Sequence, residues 1–155
     1  MIENKYIELK DEIFLFRHLK LKDMNKDYFS LLRQLSIIEY DTVSEENNKK
    51  FLKKLNQDHV IIVIEHNNKI VGSGTIIIEH KLIRGYGKVG HIEDIVIDKD
   101  FRNYGLGKYL VCMLKDYSLT NKCYKCILNC NKQLKDFYEK CDFKKQGLEM
   151  AKYFD

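Results

Sequence analysis

The chain has 155 residues, 45% of them apolar and 32% charged, with a formal net charge of +4. This is the size and balance of a single globular domain (residues 1–155) with a sizeable core, and it excludes a disordered chain. The longest purely aliphatic run, residues 60–64, is far short of the ~20 residues of a membrane span, and the polar start Met1-Ile-Glu-Asn-Lys-Tyr lacks the apolar centre of a secretion signal, so no membrane span and a cytoplasmic location are expected. The mild positive charge suits an anionic small molecule and is too weak to argue for nucleic acid.

In chain order, Glu12–His18 alternates and reads as a first strand. Asp23 stands where it would cap a helix carrying Tyr28, Phe29, Leu31, Leu32 and Leu35 at near-helical spacing. Ser44-Glu45-Glu46 opens a second helix with Phe51, Leu52 and Leu55 as its expected buried face. Residues 58–65 and 69–79 are β-branched runs joined by Asn67-Asn68, which predicts a hairpin. The chain has no proline, so its turns must rely on Gly, Asn and Asp. Residues 83–90 read as a glycine-rich loop, 91–97 as a strand, 103–119 as a helix, 122–130 as a strand, 132–140 as a short helix, and 143–154 as a last strand. A strand-rich front and a βαβαβ back place the chain in the mixed α/β (α+β) class.

Five cysteines without secretory context argue against a disulfide framework. Cys123-Tyr-Lys-Cys126 has chelating spacing. In a regular strand its two thiols point to opposite faces, however, so free thiols and no metal are expected.

The stretch Arg102-Asn103-Tyr104-Gly105-Leu106-Gly107 joins a strand to a helix. Backbone N–H groups at a helix start lack intrahelical partners and favour anions, and glycines let a ligand come close. A phosphate or pyrophosphate is the expected guest. Two other motifs fail on context. Gly85-Tyr-Gly87-Lys-Val-Gly90 precedes a strand, not the helix that dinucleotide binding requires, and Tyr109 follows Lys108 where a phosphate loop needs a hydroxyl for magnesium. In the strand before the turn, regular alternation puts Glu93, Ile95 and Ile97 on one face and Ile92, Asp94 and Val96 on the other. Both faces are apolar apart from the acids, so the strand is expected to be buried on both sides. Acids so placed are costly unless they work or are paired. Lys81, Arg84 and Lys88 around the loop suit a phosphorylated substrate.

R-x-x-G-x-G after a buried strand is similar to the coenzyme A signature of the GNAT acyltransferase superfamily. Residues 76–81 (Ile-Ile-Ile-Glu-His-Lys), 90–97 (Gly-His-Ile-Glu-Asp-Ile-Val-Ile), 121–125 (Asn-Lys-Cys-Tyr-Lys) and 137–141 (Phe-Tyr-Glu-Lys-Cys) resemble the glucosamine 6-phosphate N-acetyltransferases of that superfamily, over nearly the whole chain. The resemblance implies the GNAT fold, a central mixed, mostly antiparallel sheet flanked by helices. It also implies acetyl transfer from acetyl-CoA to the amine of D-glucosamine 6-phosphate, in UDP-N-acetylglucosamine biosynthesis, by a homodimer whose sugar sites are completed by the partner's last strand.

The resemblance also implies residue roles. The backbone of Ile95, Val96 and Ile97 would pair with the pantetheine arm. Arg102, Asn103, Tyr104, Gly105, Leu106, Gly107 and Lys108 would hold the pyrophosphate, with Asn129 a further coenzyme contact. Glu93 and Asp94 would meet the sugar amine and hydroxyls. Ser36, Lys81, Leu82, Ile83, Arg84, Tyr124 and Lys125, with Lys152, would bind the sugar phosphate, and Tyr138 would sit by the thioester sulfur. Four positions depart from the family pattern: Asn129 for Asp, Leu134 for Asn, Asp142 for Gly, and Tyr153 for the phosphate-binding Arg. The chemistry is consistent with these roles. Only a neutral amine attacks, so a carboxylate or its water must take a proton. The thioester oxygen needs an N–H donor, such as one near Ile95. A phenol with pKa about 10 can protonate a departing thiolate of pKa about 8.5 if the site shifts the balance. Two other readings stand beside this one: a GNAT enzyme acting on a peptide or polyamine, and an acetyl-CoA-binding protein without turnover.

Overall fold

The computed structural model describes residues 3–154, so Met1 and Ile2 of the polar start, and Asp155, lie outside it. One sheet of six strands runs in the order β1 (Lys5–Leu9), β2 (Glu12–His18), β3 (His59–His66), β4 (Lys69–His80), β5 (Lys88–Ile97) and β6 (Cys123–Ile127). Neighbours are antiparallel from β1 to β5, and β6 alone is parallel to β5. β2 has the bounds read from alternation. The Asn67-Asn68 hairpin is present, both residues left-handed at φ 47° and 62° as a tight two-residue turn requires. The edge strand β1 was not anticipated; its signal was the Lys10-Asp11 turn, also left-handed.

α1 (Lys26–Leu32) is capped by Asn25, whose Oδ1 accepts from the amides of Asp27 (3.0 Å) and Tyr28 (3.1 Å). Asp23, expected as the cap, is instead buried and takes the Arg17 guanidinium on both oxygens at 2.6 and 2.8 Å. Arg17 is only 2% exposed, and a buried guanidinium left without carboxylates would be strongly destabilising, so the ion pair outcompetes the cap. Glu65 completes the cluster, accepting from Arg17 Nε at 2.7 Å. α2 (Glu45–Leu52) starts at Ser44 as expected, but its buried residue is Asn48, while Phe51 is exposed. The one-turn segment α3 (Ile83–Tyr86) is distorted by left-handed Arg84 and Gly85, and β5 begins at Lys88, earlier than read, taking Gly90 out of the loop. α4 (Leu106–Thr120) follows a 3-10 run, Lys99–Tyr104, and α5 (Lys135–Glu139) follows a 3-10 turn, Lys132–Leu134. The last strand expected over 143–154 is absent: those residues form no strand, and Leu148, Met150, Tyr153 and Phe154 are exposed. Gly147, left-handed at φ 66°, breaks the extended run that a strand would need.

Each face of the sheet carries its own core. Under α4 lie Ile62, Ile64, Ile76, Ile78 and Ile92 against Leu106, Leu110, Val111 and Leu114. Under α1 lie Ile61, Val63 and Val96 against Tyr28 and Leu31. A β-bulge links these cores to the site. Thr75 faces Glu93 and Ser73 faces Val96, so Asp94 and Ile95 together oppose Gly74, with Asp94 left-handed at φ 53°. The extra residue resets the alternation. Ile92 packs under α4, yet Val96, four residues on, packs under α1, while Ile95 and Ile97 return to the α4 side. A carboxylate on each face, as regular alternation predicts, is therefore incorrect. Glu93 shares the face of its partner Thr75, and Asp94 joins it on the α1 side. Nor is the strand buried throughout, since Asp94 is exposed and Glu93 half-buried.

A second irregularity lies on β6. Lys88 pairs with Cys123 and Val89 with Lys125, so Tyr124 is the extra residue. Cys123 and Cys126 consequently both pack against the α4-side core, not on opposite faces. All five cysteines are free. Among the described residues no group of three or more His, Cys, Asp or Glu side chains could hold a metal, and no helix is long and apolar enough to cross a membrane.

Candidate active site

The parallel pairing of β5 with β6 stops at His91 and Ile127. Beyond that point the two strands part, and the edge of β5 from Ile92 to Ile97 has no strand partner among the described residues. Ile95, Val96 and Ile97 thus lie on an unpaired strand edge open to an extended guest, the condition for a ligand to add itself as a strand, although the Ile97 carbonyl already accepts from Arg102 Nε. The chain then passes through the 3-10 run into α4. The helix begins at Gly105, left-handed at φ 78° and offering no side-chain cap. The first amides of a fifteen-residue helix are therefore open, with Asn103, Tyr104, Gly105, Leu106, Gly107 and Lys108 around them. Arg102 folds back instead, its Nε donating to the Ile97 carbonyl at 3.3 Å and its Nη2 reaching Gln34 Oε1 at 3.5 Å. Gln34 also accepts from the Lys99 amide at 3.0 Å, tying the end of the first helix to the turn.

On the α1 side of the bulge a cavity of about 350 Å³ contains Asp94 together with Ser36, Thr75, Ser73 and Tyr28. Ser36 and Asp94, predicted from distant parts of the chain, meet here. Tyr28 and Ser73 were not foreseen; their hydroxyls lie 3.1 Å apart in the cavity wall. The apolar spacing of the first helix pointed to a buried Tyr28, but nothing in the sequence pointed to its polar partner. A larger cleft of about 820 Å³ between the 21–25 segment and α2 holds none of the predicted residues. Burial, then the neighbouring Asp94 and Glu149, push the Glu93 carboxyl above its usual range, and His91 opposes the shift.

At the other end of the same sheet face lies the cationic loop. The Arg84 guanidinium sits 5.6 Å from the Tyr124 ring centre and Lys125 Nζ 5.8 Å from it, so the three residues form one stacked group. The bulge at Tyr124 is what turns that ring outward. Lys81 is ion-paired to Glu79, which also binds His91 at 2.9 Å. Leu82 and Ile83 are exposed at the loop tip. Lys152 lies in the exposed C-terminal segment and Asn129 in the exposed link after β6.

Tyr138, on α5, is 8% exposed and packs edge-on against Phe137 (5.0 Å) and Phe143 (6.2 Å) in the core that holds Ile95 and Ile97. Burial raises its phenol above the ordinary tyrosine value, with smaller contributions from Cys130 and Cys141. It therefore stays protonated, as a proton donor must.

Residues 21–143 match the Acetyltransferase (GNAT) family. The chain belongs to the GNAT acetyltransferase family. A glucosamine 6-phosphate N-acetyltransferase of Arabidopsis thaliana is 42% identical to this GNAT chain over 148 residues, 93% of this chain and 99% of the relative. One of Dictyostelium discoideum is 34% identical over 151 residues, 92% of each. Among solved structures, the Arabidopsis thaliana enzyme superposes with a TM-score of 0.87 at 40% identity, covering 92% of this chain and 99% of that one. A Trypanosoma brucei acetyltransferase superposes at 0.85 and 31% identity, covering 91% and 99%. The expected fold class is thus borne out. The sheet is mixed and mostly antiparallel with flanking helices, and β5 parts from β6 beyond His91.

Proposed function

We propose that this GNAT enzyme transfers the acetyl group of acetyl-CoA to the amine of D-glucosamine 6-phosphate by direct attack in a ternary complex. The observation that carries the reading is the common acceptor of its relatives: four glucosamine 6-phosphate N-acetyltransferases are 34–42% identical over 89–93% of this chain. The cationic group of Arg84, Lys125 and Tyr124 on the carboxylate face supports a phosphorylated acceptor.

In this reading the pantetheine arm pairs with the backbone of Ile95, Val96 and Ile97, and the pyrophosphate lies on the amides between Asn103 and Lys108, with Arg102 braced beside them and Asn129 across the opening. The sugar lies over Glu93, Asp94 and Ser36. Its phosphate meets Lys81, Arg84, Tyr124 and Lys125 beside Leu82 and Ile83. Glu93, its affinity for protons raised by burial, takes a proton from the amine directly or through water, while Asp94 orients the nitrogen. The neutral amine attacks the thioester carbonyl, and an amide near Ile95 stabilises the oxyanion. The carbon–sulfur bond breaks, Tyr138 gives its proton to the leaving thiolate, and the proton that the nitrogen sheds as the amide forms returns through water to the Tyr138 phenolate.

The exposed segment with Leu148, Met150, Tyr153 and Phe154 supports a homodimer in which each tail completes the partner's site and delivers Lys152. The product feeds UDP-N-acetylglucosamine synthesis in the cytoplasm.

The test is thiol release from acetyl-CoA with glucosamine 6-phosphate, unphosphorylated glucosamine and a lysine peptide. Strong release with the sugar phosphate alone is expected. Preference for the peptide would transfer the assignment to another amine, and no release with any acceptor would leave an acetyl-CoA-binding protein.

A further inference from the structure

Acetyl transfer to an amine has a proton balance that the residues named so far do not close. At neutral pH the acceptor enters as an ammonium and leaves as an amide nitrogen bearing one hydrogen. Two protons depart: one protonates the thiolate, and the other must reach solvent. Glu93, which takes the second, must give it up again before the next turnover.

The same face of the sheet offers a way out. His91 stands two residues before Glu93 on the same face of β5, about 7 Å along the strand, a gap that a short chain of waters spans. Its Nε2 lies 2.9 Å from Glu79 Oε2, and the other oxygen of Glu79 holds Lys81. Hydrogen bonds from Lys81 and then His91 keep the Glu79 carboxyl below its usual range. An ionised carboxylate only accepts, so Nε2 must carry the hydrogen, and the lone pair of the neutral ring sits on Nδ1. The register partners of His91 on the neighbouring strands are apolar, Ile77 on β4 and Ile127 on β6. Its charged surroundings are thus Glu79 and Lys81 from the end of β4 and Glu93 on its own strand, with Asp94 and Glu149 acting on Glu93. The imidazole is part-exposed, and Glu79 more so, at the rim of the site.

We propose that His91, fixed in the Nε2–H tautomer by Glu79, is a proton-relay residue that carries the amine's second proton from Glu93 to solvent. Nδ1 takes the proton from Glu93 through water, the imidazolium is held beside the Glu79 carboxylate, and Nδ1 then releases the proton to bulk water, restoring both groups. The proposal rests on the acetyl-transfer reading above.

The test compares the full chain with His91→Gln, His91→Ala and Glu79→Gln, using acetyl-CoA and glucosamine 6-phosphate across pH 6–9. For His91→Gln, kcat is expected to fall about 10–100-fold with KM for acetyl-CoA unchanged, and free imidazole in the buffer is expected to restore His91→Ala. Glu79→Gln should lose less and shift the acid limb of the pH–kcat profile. Undiminished kcat in His91→Gln, or a loss in His91→Ala that imidazole leaves untouched, overturns the relay. Nitrogen-15 NMR of the wild-type protein without substrate reads the tautomer directly, and hydrogen on Nδ1 overturns it whatever the acceptor. Wild-type turnover of a different amine overturns the sugar-phosphate assignment alone, and the same variants then test the relay on that amine.

Discussion

Gly74 is the residue opposite the bulge, and Gly74→Ala tests whether the bulge is held by packing under α4. A Cβ built there would lie 2.5 Å from Ile95 Cδ1 and 3.1 Å from both Leu110 Cδ2 and Leu114 Cδ1. The two leucines are fully buried and cannot withdraw. Overpacking of this kind costs about 1–3 kcal/mol, and the stiffer unfolded chain of the alanine variant returns about 0.5–1 kcal/mol. The net expectation is a loss of about 1–2 kcal/mol, which for a domain of this length lowers Tm by roughly 2–8 °C. Urea unfolding should show a lower midpoint with an unchanged slope. The nearest contact is one methyl of Ile95, so Ile95→Val removes it, and Gly74→Ala/Ile95→Val should be no less stable than Ile95→Val by more than about 0.5 kcal/mol. That is a coupling of about 1 kcal/mol between residues that touch only across the bulge. Because Ile95 supplies the backbone proposed to meet the thioester, the single variant should also raise KM for acetyl-CoA, and the double variant should recover it. A Gly74→Ala protein as stable as wild type, or strictly additive losses, would refute the idea that this contact sets the bulge.

Three further outcomes follow from named contacts. Asp23→Ala strips a buried guanidinium of its bidentate partner and should cost about 3–5 kcal/mol by denaturant titration. Burial alone would raise the Asp23 carboxyl, but the Arg17 and Lys20 hydrogen bonds overcome it and hold the carboxyl below its usual range; its contribution is therefore present above the unfolded value of about 3.9 and is lost as pH falls through the lower folded value, a loss that the alanine variant should not show. Glu93 has the opposite sign: burial and Asp94 raise its folded value, so ionising it near neutral pH destabilises the fold, and Glu93→Gln should melt higher than wild type at pH 7 while turning over more slowly. Tyr138→Phe should lower kcat about 10- to 100-fold with little change in acetyl-CoA affinity measured by calorimetry; an unchanged rate would leave the ring a packing role only.

The match between sequence and structure is closest where local chemistry decides the outcome. Alternation gave β2 its bounds, the Asn67-Asn68 pair placed the hairpin, and Ser44 with two glutamates started α2. The glycine turn also held, because a left-handed Gly105 and an uncapped helix start depend on a few consecutive residues. Failures cluster where a distant group intervened. Asp23 has the chemistry of a cap, but Arg17 needed it more. Asp142 is left-handed at φ 69° and paired to Lys115 at 2.9 Å, which accounts for a position where glycine would be natural.

The linear chain by itself determined that two acids would sit in the strand before an anion-receptive turn, and that the protein would bear the GNAT signature, because these are properties of residue order and type. Only the folded sheet decided that both acids share one side. That outcome depends on an extra residue opposite Gly74, a glycine that Leu110 and Leu114 of α4 crowd from below, and strand periodicity read along one segment carries no information about what packs across it. The same holds at Tyr124, where a register shift set by pairing with β5 turned an aromatic ring outward among the cations and brought two thiols to one core.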